Sequence, residues 1–427
     1  MNCLTQKIKK YLAVLSMLIA IAYANHSLAQ QRNVYWVHGL GGDSNSWQAY
    51  TKPSSNFMRQ YPSANVLTPQ YDSGRGIVDA ANELDRRNVF SPAQDNIVIA
   101  HSMGSLVTRE YNRVPNRSGN IGGFITFTGP HAGAPIGQSI VDGDHDVFLQ
   151  NSLRNILVGP ASTLDIVFPI TTTLTTLLVS NLSVRMVART LLPDLLTQLA
   201  GGRTLRPNDP SMIRLNTDTL RNVEKPRVSI VGVENQPTFW RIVSGMMKDP
   251  SKFDLDKYDC ADLNAPIAAW FFGAQYAACA YVIGAATIQA PNPVTALMAA
   301  KYGIGSYAFI TGINRQWHRV IGASRESTKG VTLTYLKPAC FNPFRRACWR
   351  LVTVTRTIGF TIHTPTPSDG VVPVVSQEKL PGKLPFGDLP QNRIIGANHF
   401  EVRNHKTTTQ VLKKVFNGDP DPIFKIN

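Results

Sequence analysis

The chain has 427 residues, 43% of them hydrophobic and 17% charged, with a formal net charge of +15. That composition excludes a disordered chain, and the length leaves room for one large or two ordinary domains. The lysines and arginines are scattered, with no long basic cluster and no basic helix interleaved with aromatics, so nucleic acid is not an expected partner. A basic surface could favour an anionic lipid or cell wall, and the favoured reading of the charge is simply a basic soluble exported protein.

The first 29 residues stand apart. Lys7, Lys9 and Lys10 precede an uncharged run from Tyr11 to Ala24, and "NHSLAQ" follows, with small residues at Ser27 and Ala29. This three-part pattern predicts a signal peptide over 1–29, cut after Ala29, and a secreted or periplasmic product. The apolar run is short for a bilayer span, which disfavours an uncleaved anchor. Cys3 lies before that run, so it is not placed to become a lipidated first residue. Removing the segment leaves Cys260, Cys279, Cys340 and Cys348. An even number in an exported chain suggests two disulfides. Three pairings are open, and Cys260–Cys279 with Cys340–Cys348 needs the least loop closure.

From residue 30 the pattern is that of an α/β domain running to residue 427. "RNVYWVHGLGG" (Arg32 to Gly42) reads as a buried strand ending in a Gly-rich loop. A second short strand lies near Val66. Ile77, Ala81, Leu84 and Val89 have helical spacing. Ile97 to Ala100 is the next buried strand, and Ser105 to Arg113 a helix. "NIGGFITFTGPHAGAP" gives a strand through Phe124 to Phe127 and another Gly-rich loop. Buried strands alternating with helices predict a mostly parallel sheet covered on both faces.

The rhythm breaks over about 142–226 and again over about 240–330, which read as insertions. The first is rich in Leu, Thr and Val. The second holds the uncharged stretch Pro266 to Ala290. That stretch is long enough to span a membrane, but its alanines, Gln275 and Cys279 favour a buried helix pair or an apolar cap over a cleft. Between the insertions, Arg227 to Asn235 reads as a return to the sheet. Val331 to Leu336 and Trp349 to Thr357 read as strands, and the chain closes on a loop and a helix.

The chemistry centres on "AHSMG", Ala100 to Gly104. A serine hydroxyl needs a base and must be held clear of its own backbone. A strand turning abruptly into a helix does this, at the cost of strain that small neighbours, here Ala100 and Gly104, relieve. Ser102 is therefore the candidate nucleophile. Two backbone N–H groups should face the oxyanion of an acyl-transfer intermediate. Met103, after the serine, and Leu40, in "VHGLGG", are the candidates. Asp369, in "PSDGVVPVVSQ", is favoured over Glu234 as the carboxylate that steadies the base. Of the nine histidines, His399 in "GANHFEV" is favoured as that base. His405 reads as a cap or surface residue, His131 as a structural residue near the elbow, and His38 and His101 as neighbours facing away from that role. His145, His318 and His363 have no assigned partner. The order Ser102, Asp369, His399 suits a strand–elbow hydrolase.

These motifs resemble the secreted bacterial triacylglycerol lipases of the α/β-hydrolase fold. "AHSMG" is similar to the elbow of small bacillary lipases, alanine included. "VHGLGG" is similar to their oxyanion loop, and "SDGVVPVVS" and "NHFEV" to the loops carrying aspartate and histidine in pseudomonad and staphylococcal relatives. "GPHAGAP" looks like their Pro-His-x-Gly segment. The resemblance covers mainly 32–140 and 365–410. It implies an α/β-hydrolase domain over 30–427 with a large apolar cap or lid insertion. It also implies an ester or lipid substrate, transient contact with a lipid interface, and Ser102, Asp369 and His399 as the triad, with no cofactor. Some relatives bind calcium near the histidine; no acidic cluster here demands it, and no metal is expected. Esterase, phospholipase and acyltransferase activities, or a non-catalytic binding role, stay open.

Overall fold

The computed structural model describes residues 32–142, 199–217, 225–234, 317–338, 351–381, 392–419 and 421–426. Residues 1–29, where a signal peptide is expected, all five cysteines, His145 and the apolar stretch Pro266 to Ala290 lie outside the described residues.

Six strands form one sheet: β1 (Arg32–Val37), β2 (Ala64–Leu67), β3 (Ile97–His101), β4 (Gly123–Phe127), β5 (Arg227–Val233) and β8 (Arg393–Ile395), in the order β2-β1-β3-β4-β5-β8. Every pairing is parallel. β3 and β4 are buried at every position. That is why they read as continuous apolar runs: with both faces covered, no polar face survives.

Alternation along each strand divides the core in two. Val34, Trp36, Ile97, Ile99, Ile125, Phe127, Val228 and Ile230 face one layer, with Trp47, Tyr50 and Phe57. There they meet helix α5 (Lys406–Phe416) through Val411, Leu412, Val415 and Phe416. Tyr35, Val37, Val98, Ala100 and Phe124 face the other layer. It is built from α1 (Ile77–Arg86), α2 (Met103–Arg113) and α3 (Pro210–Thr217), through Ile77, Ala81, Leu84, Leu106, Val107, Met212 and Leu215. Each such side chain, fully buried, contributes about 1.5–3 kcal/mol.

Two helix boundaries differ from expectation. α1 ends at Arg86, short of Val89, because Asn88 turns left-handed at φ 47°. The Asn88 N–H then donates to the Asp85 carbonyl and the Val89 N–H to the Leu84 carbonyl, closing a Schellman cap. α2 begins at Met103, two residues before the expected Ser105, because the chain passes from strand to helix through Ser102 alone.

The strands expected near Val331 and Trp349 are longer than read. β6 (Ser324–Pro338) and β7 (Leu351–Pro365) pair antiparallel over 15 residues each, as a two-stranded sheet of their own. Ser324 lies inside the range read as the second insertion.

The chain fills the sheet outward from β1, first to β2 on one side, then to β3, β4, β5 and β8 on the other. The direction reverses between β1 and β3. At such a reversal the loops leaving the carboxyl ends of two neighbouring strands diverge and open a crevice. Here those loops are "HGLGG" and the serine corner.

Candidate active site

Ser102 stands at the carboxyl end of β3 with φ 52° and ψ −127°. An L-residue is strained there, and a packed surround is needed to hold it. Its N–H still extends the ladder, donating to the Phe127 carbonyl at 2.9 Å. Helix α2 starts at the next residue and turns back over the sheet. The turn is so close that a Cβ on Gly104 would sit 2.2 Å from the His38 carbonyl oxygen. Glycine is required at that position. Position 100 is different: the Ala100 methyl packs into the α1–α2 core layer, where there is room for it.

The loop after β1 lies against the same corner. A Cβ on Gly39 would be 3.0 Å from the Ser102 Cβ. Gly41 is left-handed at φ 73°, and its N–H donates to Ser73 Oγ at 2.9 Å. Leu40 lies between them. The backbone N–H groups of Leu40 and Met103 have no hydrogen-bond partner among the described residues. Both remain available as donors.

His399 follows β8. Its Nε2 lies 2.9 Å from Ser102 Oγ and its Nδ1 lies 2.7 Å from Asp369 Oδ2. A carboxylate only accepts, so Nδ1 carries the proton and Nε2 presents a lone pair to the serine hydroxyl. All three side chains are buried. The carboxylate that reaches the imidazole is thus Asp369 rather than Glu234, whose backbone N–H instead donates to the Ser368 carbonyl at 2.8 Å.

Asp369 is fixed by its own turn. Gly370 is left-handed at φ 90°, which lets the N–H groups of Val371 and Val372 donate to Asp369 Oδ1 at 2.9 and 2.7 Å. Oδ2 is left for the histidine. Below it, a Cβ on Gly232 of β5 would stand 3.1 Å from the Asp369 Cβ. Gln377, at the end of α4 (Val374–Gln377), ties the turn to the sheet. Its Oε1 accepts from the Gly232 N–H at 2.9 Å and its Nε2 donates to the Val372 carbonyl at 2.9 Å.

The histidine loop has a comparable anchor. Asn398 Oδ1 accepts the N–H groups of Phe400 and Glu401 at 3.0 and 2.9 Å, and Glu401 Oε2 accepts the Asn398 N–H at 3.2 Å. This reciprocal capping box clamps His399 between its members. His101 adds a cross-link: its Nε2–H donates to the His399 carbonyl at 2.8 Å. Gln377, Asn398 and Glu401 were not singled out from the sequence. The Asn-x-x-Glu spacing of "NHFE" is a local signal for the capping box, whereas the Gln377 bond to Gly232 spans 145 residues and leaves none.

The remaining histidines are structural. His38 stacks on Tyr71 with ring centroids 4.2 Å apart. His405 caps α5, accepting the Thr407 N–H at 3.3 Å. His318 Nδ1 lies 3.3 Å from the Ala323 carbonyl. His131 Nε2 lies 3.2 Å from Thr126 Oγ1; burial, then Arg109 and Arg227, hold its pKa well below the usual histidine range. His363 is described only as part of the β7 backbone.

Beside the Leu40–Gly42 loop is a pocket of about 480 Å³, lined by Gly41, Gln70, Asp72, Ser73 and Glu83 among others. It is polar. The stretch read as an apolar cap over a cleft, Pro266 to Ala290, lies outside the described residues. Among the described residues no three of His, Cys, Asp or Glu come together as metal ligands.

The parallel sheet, helices on both faces, and loops bearing serine after β3, aspartate after β7 and beside the end of β5, and histidine after β8 define the α/β-hydrolase fold. No protein-family model matches the chain, and no curated protein does. Among solved structures it is similar to wild-type Cfl2 from Burkholderia cenocepacia, at 13% identity over 48% of this chain and 74% of that one, with a TM-score of 0.27. A thioesterase domain from the curacin biosynthetic pathway is 14% identical over 49% and 79% respectively, TM-score 0.27. The DbeA-M1 loop variant of a haloalkane dehalogenase from Bradyrhizobium elkanii is 12% identical over 48% and 73%, TM-score 0.27. Likeness at this level adds nothing to the assignment, which rests on the sheet order and the three loops.

Proposed function

We propose that the chain hydrolyses carboxylic esters through an acyl-enzyme on Ser102. The observation that carries this reading is the unbroken hydrogen-bonded series from Ser102 Oγ through His399 to Asp369. In the proposed reaction His399 Nε2 takes the hydroxyl proton as Oγ bonds to the ester carbonyl carbon. The carbonyl oxygen becomes an oxyanion, held by the N–H groups of Leu40 and Met103. Collapse breaks the carbon–oxygen bond to the alcohol, which leaves with the proton from His399. Water then attacks the acyl-enzyme, giving its proton to the same nitrogen. The acid departs, and Ser102 recovers its hydrogen. Asp369 stays ionised, holding the imidazole in the tautomer that accepts at Nε2.

Long-chain acyl glycerols are the proposed substrate class, for an exported protein that meets a lipid surface. The support is sequence-level: the signal-like 1–29 segment, the basic balance and the apolar insertions. In the test, wild-type protein and Ser102→Ala are assayed on a short water-soluble ester and on emulsified triacylglycerol. Ser102→Ala is expected to lose about 10⁴-fold or more in rate on any ester. Unchanged cleavage would remove the nucleophile. A wild-type rate that does not rise above the substrate's aggregation limit would reduce the reading from lipase to plain esterase.

A further inference from the structure

The core layer under α2 holds charge that ester chemistry does not use. Arg109 on α2 and Arg227 at the start of β5 are both 0% exposed, and Asn112, one helical turn beyond Arg109, is 1% exposed. Arg109 donates through Nη1 to the His131 carbonyl at 3.3 Å and through Nη2 to the Leu215 carbonyl and Asn216 Oδ1 at 2.8 and 2.9 Å. Its Nε–H has no partner among the described residues. Arg227 donates through Nη1 to the Pro381 carbonyl, and its guanidinium lies 4.6 Å over the Phe124 ring. Among the described residues its Nε and Nη2 hydrogens have no partner, and neither does the side-chain amide of Asn112.

These groups share one region. Arg227 is opposite Phe124 in the β4–β5 register, so both face the α2 layer, as does Thr126 two residues on. His131 rests on Thr126, and Arg109 holds the His131 carbonyl. α2 starts at the carboxyl ends of the strands and runs back along them. Asn112 therefore lies nearer than Arg109 to the strand starts, where Arg227 sits. The electrostatics agree. Arg227 is pushed down to about 9 by burial and then by Arg109, and Arg109 is pushed down to about 9 by burial, against Glu110. At neutral pH both are still cations.

Two buried like charges need a counter-charge. Among the described residues Glu110 is the carboxylate that acts on Arg109, and its two oxygens already accept from Arg113 and Arg214. What this region offers is a set of N–H donors and positive charge, in full burial. A single-atom anion suits that: it accepts from any direction, carries one charge and needs no donor in return. A carboxylate or phosphate would bring oxygens that demand more room and more partners. We propose that Arg109, Asn112 and Arg227 bind one halide ion, chloride under ordinary conditions, as a structural counter-ion between α2 and the β4–β5 strands.

The test does not depend on catalysis. Thermal unfolding of the full chain is followed in sodium chloride and in sodium gluconate at equal ionic strength and fixed pH near neutral. Above saturation the melting temperature is expected to rise by about 2 °C for each tenfold increase in chloride, and not with gluconate. Arg227→Gln, if it folds, should lose the difference between the two salts. Crystals grown in bromide should show one anomalous peak bounded by Arg109, Asn112 and Arg227. Equal melting in both salts, or an ordered water in that position in the bromide crystals, would overturn the proposal. The wild-type titration and the bromide map decide it even if the variant fails to fold.

Discussion

The serine corner and the aspartate–histidine arm meet at one hydrogen bond yet are held by different physics. The corner is held by exclusion: Ser102 is left-handed, α2 turns so sharply that Gly104 touches the His38 carbonyl, and Gly39 presses on Ser102. The arm is held by attraction. Asp369 accepts two backbone N–H groups of its own turn, Gln377 bonds across to β5, and Asn398 and Glu401 clamp the histidine loop. The corner should therefore fail when an atom is added and the arm when a hydrogen bond is removed.

The largest effect expected within the arm is at Asp369. Asp369→Asn keeps the shape of the side chain and its Oδ1 acceptor, but its amide nitrogen can donate to the imidazole. Nδ1 would then turn acceptor and Nε2 would carry the proton, leaving no lone pair for Ser102. A rate loss of about 10⁴-fold is expected on a water-soluble ester, with KM little changed. A loss smaller than tenfold would mean the imidazole is steadied elsewhere, Glu234 being the nearest alternative to test.

At the corner the corresponding change is Gly104→Ala. A Cβ 2.2 Å from a backbone oxygen cannot be absorbed by a side-chain rotation. Either α2 or the His38–Leu40 loop must move. Destabilisation of about 2–3 kcal/mol is expected by denaturant unfolding. Because the same loop carries a proposed oxyanion donor, a rate loss near 10²-fold should accompany it. Wild-type stability and activity in this variant would mean that the corner is looser than its contacts suggest.

The corner was legible in the sequence because its constraints are local. Small residues around Ser102, a buried run before it and a helical pattern after it all fall within Asn96 to Arg113. β3, β4 and β5 were legible for the same reason, since both faces of each strand are covered. The arm was legible only at its tips: "SDG" and "NHF" point to Asp369 and His399, while the Gln377 bond to Gly232 joins residues far apart in sequence. The β6–β7 hairpin was read too short for another reason. From Thr353 to Thr361, threonine recurs at every second position except for Gly359, so the strand alternates without an apolar block to mark its end. α1 was read too long because Val89 continues its spacing, while Asn88 two residues past the last helical position closes the cap.

A smaller effect is expected at the clamp on the histidine loop. Asn398→Ala removes the acceptor for the Phe400 and Glu401 N–H groups, a cap worth about 1 kcal/mol. His399 is held also by its N–H bond to the Asp369 carbonyl at 2.9 Å and by His101, so the loop should loosen without leaving the site. About a tenfold fall in kcat with KM unchanged is expected. Asn398→Ser, which restores an oxygen acceptor at the cap, should recover most of it. Equal losses in the two variants would assign the effect to packing instead of the cap.

The smallest effect is the sharpest on the comparison itself, because it lies at the corner but outside its crowded side. Ala100 precedes Ser102 by two residues, as Gly104 follows it by two, yet its methyl is packed in the α1–α2 layer and touches no forbidden surface. Ala100→Gly removes a buried methyl and frees the backbone of a strand interior, which costs about 1 kcal/mol. It relieves no clash, because there is none to relieve. Activity is expected to stay within about twofold of wild type while the unfolding midpoint falls slightly. A large gain in kcat would show that the alanine strains the serine, and the corner would then be crowded from both sides, with Gly104 relieving only one of them.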